Sequence, residues 1–196
     1  MHTFEIGIAL YERAEELDFA GPYEVLTAWA RASERDIRVR TIADRDLITC
    51  SHGLKVVADV TWDDAGKLDL LVVPGGSIGD VQDDAAFIER LRDFAGAGTL
   101  MTSVCNGAIL YATAGLLAGK RAATHWSAVE RLRGFGIDVD ESVRFVDEGM
   151  VVTSAGVSAG IDMALHLVAR LESVEMSKEI RRYIQYEPAP DANHDA

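Results

Sequence analysis

The sequence lacks several features that would place it in common classes of protein. No stretch approaches the roughly 20 consecutive apolar residues that a membrane-spanning helix needs. Residues 1–5 carry neither a basic segment nor a small-residue cleavage site, so we predict no signal peptide and a cytoplasmic location. Only 2 cysteines occur, Cys50 and Cys105, and their different contexts do not indicate a disulfide framework.

Basic charge and metal-binding motifs are also scarce. The chain has 19 Lys and Arg residues against 32 Asp and Glu residues, a formal net charge of −13. Phosphate binding needs clustered Lys and Arg, so we do not expect nucleic acid as a partner. No CxxC, HExxH or His-rich motif is present, which predicts that the protein holds no metal, and nothing in the sequence points to a cofactor.

The remaining composition is typical of a globular protein. The 196 residues are 48% hydrophobic and 26% charged, enough for one sizeable core. We predict a single domain over residues 1–185, followed by a polar, mobile tail at 186–196.

Strand-like and helix-like segments alternate along the chain. Apolar runs that predict strands cover residues 4–11, 37–43, 68–73 and 99–104, and apolar residues at helical spacing cover 84–96, 107–114, 159–171 and 173–183. This alternation predicts an α/β domain with a mostly parallel sheet covered by helices on both faces. Locally, Pro22 is expected in the first turn of a helix and Ser127 as the cap of a helix through Arg133. A hairpin is expected over residues 143–154.

Chemistry-bearing residues follow the ends of three predicted strands. Asp18 comes after the first strand, Gly75 and Gly76 follow the strand that ends at Val73, and Cys105 follows Val104. Sites in such sheets gather at the carboxyl ends of the strands. This coincidence predicts an active site at that edge.

Cys105 is the candidate nucleophile. An apolar strand that ends in Ser103-Val104-Cys105-Asn106-Gly107 and opens a helix fits a nucleophile elbow, the tight turn that exposes a reactive side chain. The amides and positive end of that helix would lower the pKa of the thiol. The alternative is a buried cysteine that packs as a small hydrophobic residue, which suits Cys50 better.

Several motifs together resemble one known family. They are Val72-Val73-Pro74-Gly75-Gly76, Ser103 to Ala108, Ala114-Gly115-Leu116-Leu117 with Gly119-Lys120, Ala123-Thr124-His125-Trp126, and Ser154 to Asp162. In combination they resemble the ThiJ/PfpI superfamily, which is class I glutamine amidotransferase-like. The resemblance runs from about residue 4 to 171. It implies a flavodoxin-like three-layer sandwich, a cysteine at the elbow and a homodimer.

The resemblance is greatest to the branch of isocyanide hydratases and AraC-type sensor domains, through residues 17–22, 124–126 and 156–162. In hydratases an aspartate at the position of Asp18 lies beside the nucleophile and acts as acid and base. The implied reaction is hydration of an isocyanide (isonitrile) to an N-substituted formamide through a thioimidate on Cys105. The alternative for Asp18 is a cap on the helix that opens at Gly21-Pro22.

The predicted substrate-binding residues are Gly75, Gly76, Asn106 and Gly107. The glycines let the backbone approach closely, and their amides could bind an oxyanion. Hydratases usually have Thr after the nucleophile and the peptidase-like branch has His, whereas this chain has Asn106. Asn106 cannot act as a general base, but its amide could orient water or bind substrate.

His125 and Trp126 are possible accessory residues. His125 is the remaining candidate base, or else a structural or solvated histidine. Trp126 is expected to line a hydrophobic wall, or else to pack in the core. The small-residue segment 154–162 predicts tight packing near the site and a possible dimer interface.

Other functions stay open from the sequence. The same pocket could serve a small-molecule sensor without turnover, a redox sensor that oxidises Cys105, or a glyoxalase-, deglycase- or peptidase-like enzyme. An AraC-type regulator is disfavoured, because a helix-turn-helix module of roughly a hundred further residues would follow this domain.

Overall fold

The computed structural model describes residues 2–187. The strands are β1 (Phe4–Ala9), β2 (Ile37–Ala43), β3 (Leu47–Thr49), β4 (Lys55–Val57), β5 (Val60–Thr61), β6 (Leu70–Val73), β7 (Leu100–Ser103), β8 (Arg121–Ala122), β9 (Asp138–Val139), β10 (Phe145–Asp147) and β11 (Val151–Ser154). The helices are α1 (Glu16–Ala32), α2 (Gly79–Asp83), α3 (Ala85–Gly96), α4 (Gly107–Thr113), α5 (Val129–Arg133), α6 (Ala159–Leu171) and α7 (Val174–Tyr183).

Seven strands form the central sheet in the order β10-β11-β7-β6-β1-β2-β5. Every pair in it is parallel except β10 with β11, which form the predicted antiparallel hairpin. β6, β7 and β11 are buried along their whole length, as expected for strands covered on both faces. The strand order places β6 between β1 and β7, so three strand ends meet at one edge.

Helices cover both faces of the sheet. α1, α6 and α7 pack against one another as one group, and α2, α3, α4 and α5 form the second. The largest fully buried side chains include Trp29 of α1, Phe87 of α3 and Tyr111 of α4. This arrangement is the expected flavodoxin-like three-layer α/β sandwich.

The start of α1 differs from the prediction. The helix begins at Glu16, and Pro22 lies inside it rather than in its first turn. Pro22 has no N–H for the Asp18 carbonyl four residues earlier, so a helix through this point lacks one hydrogen bond. Asp18, Phe19 and Val25 are all buried on this helix, and their packing outweighs that loss.

Ser127 does not cap α5, contrary to the prediction. Residues Trp126–Ala128 form a turn of 3₁₀-helix before α5. The His125 ring accepts the Ser127 N–H at 3.3 Å, because the chain turns back on itself here. The short helix α2 lies outside the helices predicted from the sequence.

The packed part of the chain extends past the predicted domain boundary at 185. The Tyr186 hydroxyl donates to Asp162 at 3.0 Å, and the ring packs against the core. The rest of the predicted tail, from residue 188, lies outside the described residues. Within residues 2–187, no helix combines the length and apolar character that crossing a membrane requires.

Candidate active site

The nucleophile elbow is present as predicted. Cys105 follows β7, precedes α4 and has a φ of 61°, a left-handed conformation that non-glycine residues rarely adopt. The Cys105 N–H lies 3.2 Å from the Ser154 carbonyl oxygen and 3.1 Å from that of Ala155. The Cys105 carbonyl accepts the Thr124 hydroxyl at 2.8 Å. Residues at the end of β11 and just after β8 therefore hold the strained turn in place.

The sulfur of Cys105 is enclosed by backbone donors. The residue is 8% exposed. The N–H groups of Asn106 and Val157 donate to the sulfur, and both favour its charged form. Val157 itself has a φ of 44°, unusual for a β-branched side chain. These contacts give the thiolate two donors from separate segments, one at the start of α4 and one before α6.

Asp18 lies beside the thiol, as the resemblance implied. It is fully buried in the first turn of α1, and its carboxyl group is within hydrogen-bonding reach of the Cys105 thiol. Asp18 Oδ2 accepts the Gly75 N–H at 2.9 Å, whereas Oδ1 has no hydrogen-bond partner among the described residues. Its side chain caps no helix, so the alternative role considered for Asp18 is wrong.

The electrostatics of the pair differ from the prediction of an acidic thiol. Burial raises the pKa of Asp18 to about 7, against the opposing effect of the Gly75 N–H. Burial, together with the charge of Asp18, raises the pKa of Cys105 to about 12, so the prediction of a lowered thiol pKa is wrong. Between these values the pair holds a single proton and a single negative charge, and it titrates as a unit.

The amides of Gly75 and Gly76 are already occupied. The Gly75 N–H donates to Asp18, and the Gly76 N–H donates to Asn106 Oδ1 at 2.9 Å. Asn106 Nδ2 in turn donates to the Gly76 carbonyl at 2.9 Å. The expectation that these two amides are free to bind an oxyanion is wrong for this arrangement, and the Asn106 side chain contacts the turn rather than open space.

Gly107 has a packing role, and its part in substrate binding stays a prediction. It is buried, and its N–H donates to the Val104 carbonyl at 3.0 Å. A Cβ atom there would lie 2.7 Å from the carbonyl oxygens of Val73 and Pro74. Glycine at this position lets α4 start directly against the end of β6.

Tyr11 is a site residue that the sequence analysis missed. Its buried hydroxyl lies 2.6 Å from the Pro74 carbonyl oxygen and 2.9 Å from that of Gly75, and donates to them. Burial, and then the charges of Asp18 and Cys105, raise the pKa of Tyr11 well above its usual range. Its position just beyond β1 was the one available signal.

His125 and Trp126 lie at a neighbouring cavity of about 290 Å³, which Thr124, Ala155 and Val157 also line. The His125 ring faces Gly156 and hydrogen-bonds the Ser127 side chain at 2.7 Å. Among residues 2–187, the hydrogen bonds of the His125 side chain go to Ser127 and not to Cys105 or Asp18, so these contacts give no support to a role as a base. Trp126 is 79% exposed, which excludes the core role considered for it.

Other titratable groups outside the Asp18–Cys105 pair include Cys50 and a cluster of two glutamates with a histidine. Cys50 is buried, and burial raises its pKa to about 11. Within residues 2–187, Glu15, Glu16 and His52 bring possible metal-ligating atoms within 4.8 Å of one another. His52 Nδ1 lies 2.8 Å from Glu16, and this ion pair explains their proximity.

Comparison with known proteins decides the family. The profile of the DJ-1/PfpI family matches residues 5–170. The chain belongs to the DJ-1/PfpI family. It is 36% identical over 190 residues to an isonitrile hydratase of Pseudomonas putida, covering 96% of this chain and 81% of the relative.

Two further relatives show the range of the DJ-1/PfpI family. A ThiJ/PfpI family protein from Pseudomonas syringae superimposes with a TM-score of 0.88 at 29% identity, covering 100% of this chain and 80% of that structure. The HTH-type transcriptional regulator GbdR of Pseudomonas aeruginosa is 29% identical over 93% of this chain but only 50% of its own length. The family therefore includes enzymes and regulators, and membership alone does not decide between them.

Proposed function

We propose that this chain is a cysteine-dependent isonitrile hydratase, which converts an isonitrile and water to an N-substituted formamide. The observation that carries the proposal is the placement of the buried Asp18 carboxyl group beside the Cys105 thiol at the nucleophile elbow. Identity to the Pseudomonas putida hydratase over most of the chain supports it. Neither the Asp18–Cys105 pair nor the sequence identity requires an unoccupied backbone amide that binds a substrate oxygen.

The first step matches what the pair can supply. An isonitrile presents a terminal carbon that needs a nucleophile and a proton, and it contains no carbonyl oxygen. The single proton of the pair moves from the Cys105 thiol to Asp18. The resulting thiolate forms a C–S bond to this carbon, and the Asp18 carboxyl transfers the proton to the same carbon. The product is a neutral thioimidate on Cys105, and Asp18 is left as a carboxylate.

The second step returns the pair to its starting state. Asp18 takes a proton from water as the hydroxide adds to the thioimidate carbon, and passes that proton to the nitrogen. The tetrahedral adduct then gives its hydroxyl proton to Asp18, the C–S bond breaks and Cys105 leaves as thiolate. The formamide departs, and the pair again carries one proton and one negative charge. The Asn106 and Val157 amides stabilise the thiolate as leaving group.

A substrate panel tests the proposal. Purified protein is assayed with an alkyl isonitrile and with methylglyoxal, and formamide is measured by mass spectrometry. We expect turnover of the isonitrile alone, complete loss in Cys105→Ala, and full activity in the matched control Cys50→Ala, which removes the buried cysteine outside the pair. A Cys105→Ala protein as active as the wild type would sink the proposal.

The main alternative is a redox sensor, in which peroxide oxidises Cys105. Oxidation by peroxide in solution requires an accessible sulfur, whereas Cys105 is only 8% exposed. No formamide from intact protein, with peroxide-dependent mass gain at Cys105, would favour the sensor. The homodimer and the cytoplasmic location stay predictions, and light scattering of purified protein tests the first.

A further inference from the structure

We propose that Asn106 is a specificity-determining residue that keeps carbonyl substrates from reacting at this site. Its side-chain oxygen occupies the Gly76 N–H, which would otherwise bind the oxygen of a carbonyl compound attacked by Cys105. The inference deepens the proposed function, on which it rests for the physiological substrate, but its test does not use isonitrile hydration.

The Asn106 side chain makes two hydrogen bonds to the backbone of Gly76. Asn106 Oδ1 accepts the Gly76 N–H and Asn106 Nδ2 donates to the Gly76 carbonyl, both at 2.9 Å. An amide side chain is the group that can pair with both halves of a backbone residue in this way. The side chain makes no helix cap, although Asn106 stands at the start of α4. Its polar atoms therefore serve the turn alone.

The Asn106 oxygen lies next to the reacting groups. A Cβ atom built on Gly75 would overlap Asn106 Oδ1 and would lie 2.8 Å from Asp18 Oδ2 and 2.9 Å from the Asn106 nitrogen. That nitrogen carries the N–H that donates to the Cys105 sulfur. Asn106 Oδ1, Asp18 Oδ2 and the Asn106 nitrogen therefore lie around the same point next to Gly75, and Asn106 Oδ1 is the acceptor that the protein itself supplies to the Gly76 N–H.

Because the Gly76 N–H is occupied by Asn106, carbonyl compounds lose rate at this site and isonitriles do not. Attack of a thiolate on a carbonyl carbon places negative charge on the oxygen, and loss of one amide donor at that oxygen costs roughly 10²- to 10³-fold in rate. Addition to an isonitrile carbon creates no oxyanion, so the same occupation costs it nothing. The Gly75 N–H already donates to Asp18. The Asn106 side chain therefore determines whether the Gly76 N–H, the other amide of the turn, is available to a substrate.

Acylation by 4-nitrophenyl acetate is the test reaction. The Cys105 thiolate forms a C–S bond to the ester carbonyl carbon, the carbonyl oxygen takes the negative charge, and collapse breaks the C–O bond. The products are S-acetyl-Cys105 and 4-nitrophenolate, which carries away the charge. Nitrophenolate release gives the rate, and a mass gain of one acetyl group at Cys105 confirms the position.

The variant Asn106→Ala removes the side-chain oxygen and frees the Gly76 N–H. Each acylation rate is divided by the rate of alkylation with iodoacetamide, a displacement that forms no oxyanion, so that changes in thiolate population cancel. We expect this ratio to rise at least about tenfold in Asn106→Ala, on the scale of one oxyanion donor. A ratio equal to or below that of the wild type overturns the proposal.

Asn106→Asp is the matched control, because its carboxylate still accepts the Gly76 N–H. We expect its ratio to stay at or below the wild-type value, and an increase equal to that of Asn106→Ala would count against the proposal. Asn106→Ser also lacks the Oδ1 atom and is held to the same criterion if Asn106→Ala does not fold by circular dichroism. If the wild type failed to hydrate isonitriles, the proposed function would fall while these ratios still decided the role of Asn106.

Discussion

Replacement of Asp18 by asparagine measures how much the buried charge of Asp18 lowers the stability of the protein. The amide has the shape of the carboxyl group, and its oxygen can still accept the Gly75 N–H, now at 2.9 Å from Oδ2. The change removes the one negative charge that the buried Asp18–Cys105 pair carries above pH 7. We therefore expect Asp18→Asn to inactivate the protein and, at the same time, to stabilise it.

The size of this stabilisation follows from the pKa of Asp18. Burial raises it from 3.8 to about 7, a difference of about 3 units, and each unit corresponds to about 1.4 kcal/mol. Because the folded pKa lies above the unfolded value, folding takes up a proton between pH 4 and pH 7. The free energy of unfolding therefore falls by about 1.4 kcal/mol per pH unit across that window and levels off above pH 7. The total loss is about 4 kcal/mol.

Urea unfolding from pH 5.5 to 8.5, monitored by the fluorescence of the buried Trp29 and Trp62, measures this difference. Asp18→Asn should be more stable than the wild type by about 4 kcal/mol above pH 7, and the advantage should shrink by about 2 kcal/mol at pH 5.5. Other groups, including His52 whose pKa its glutamate neighbours raise, are common to both proteins and cancel in the difference. A stability difference that is the same at pH 5.5 and 8.5 would refute the reasoning.

Three further predictions concern the same site. In Asp18→Asn, loss of the neighbouring charge should lower the pKa of Cys105 from about 12, seen as a shift of the pH profile of iodoacetamide alkylation to lower pH; an unmoved profile would contradict this. Tyr11→Phe leaves the buried carbonyls of Pro74 and Gly75 without their hydroxyl donor and should cost about 1–3 kcal/mol in urea unfolding, whereas unchanged stability would show that the hydroxyl is dispensable. Gly75→Ala places a methyl group 2.8 Å from the Asp18 carboxylate and should abolish hydration, and full activity would mean that the turn can move aside.

Much of the fold could be predicted because its signals are local. The apolar runs of β1, β6 and β7 and the helical spacing of α3 and α6 are properties of neighbouring residues, and the structure confirms them. The start of α1 could not be predicted in this way. Pro22 signals a first turn locally, and only the burial of Asp18 and Phe19 against the sheet extends the helix back to Glu16.

For the candidate site, too, some features were predictable from the sequence and others depend on packing. The rule that sites form at the carboxyl ends of parallel strands predicted that Asp18, Gly75 and Cys105 share one edge of the sheet. The strand order that makes them neighbours is seen only in the fold. The pKa of Cys105 does not follow from the elbow motif. The helix start and the Val157 amide favour the thiolate, but burial and the charge of Asp18 outweigh them, and both depend on packing.

The sequence by itself determined the elbow cysteine, the acidic residue after the first strand and the glycine turn between them, because each is written in a short run of residues with a fixed local geometry. Only the tertiary structure decided what these groups do to one another. Which amide donates to which oxygen, and whether Asn106 faces a substrate or the turn, depends on atoms that lie about 30 residues apart in the chain and meet at one hydrogen-bond length. Contacts of that kind are set by the packing of the whole sheet, which no local pattern encodes.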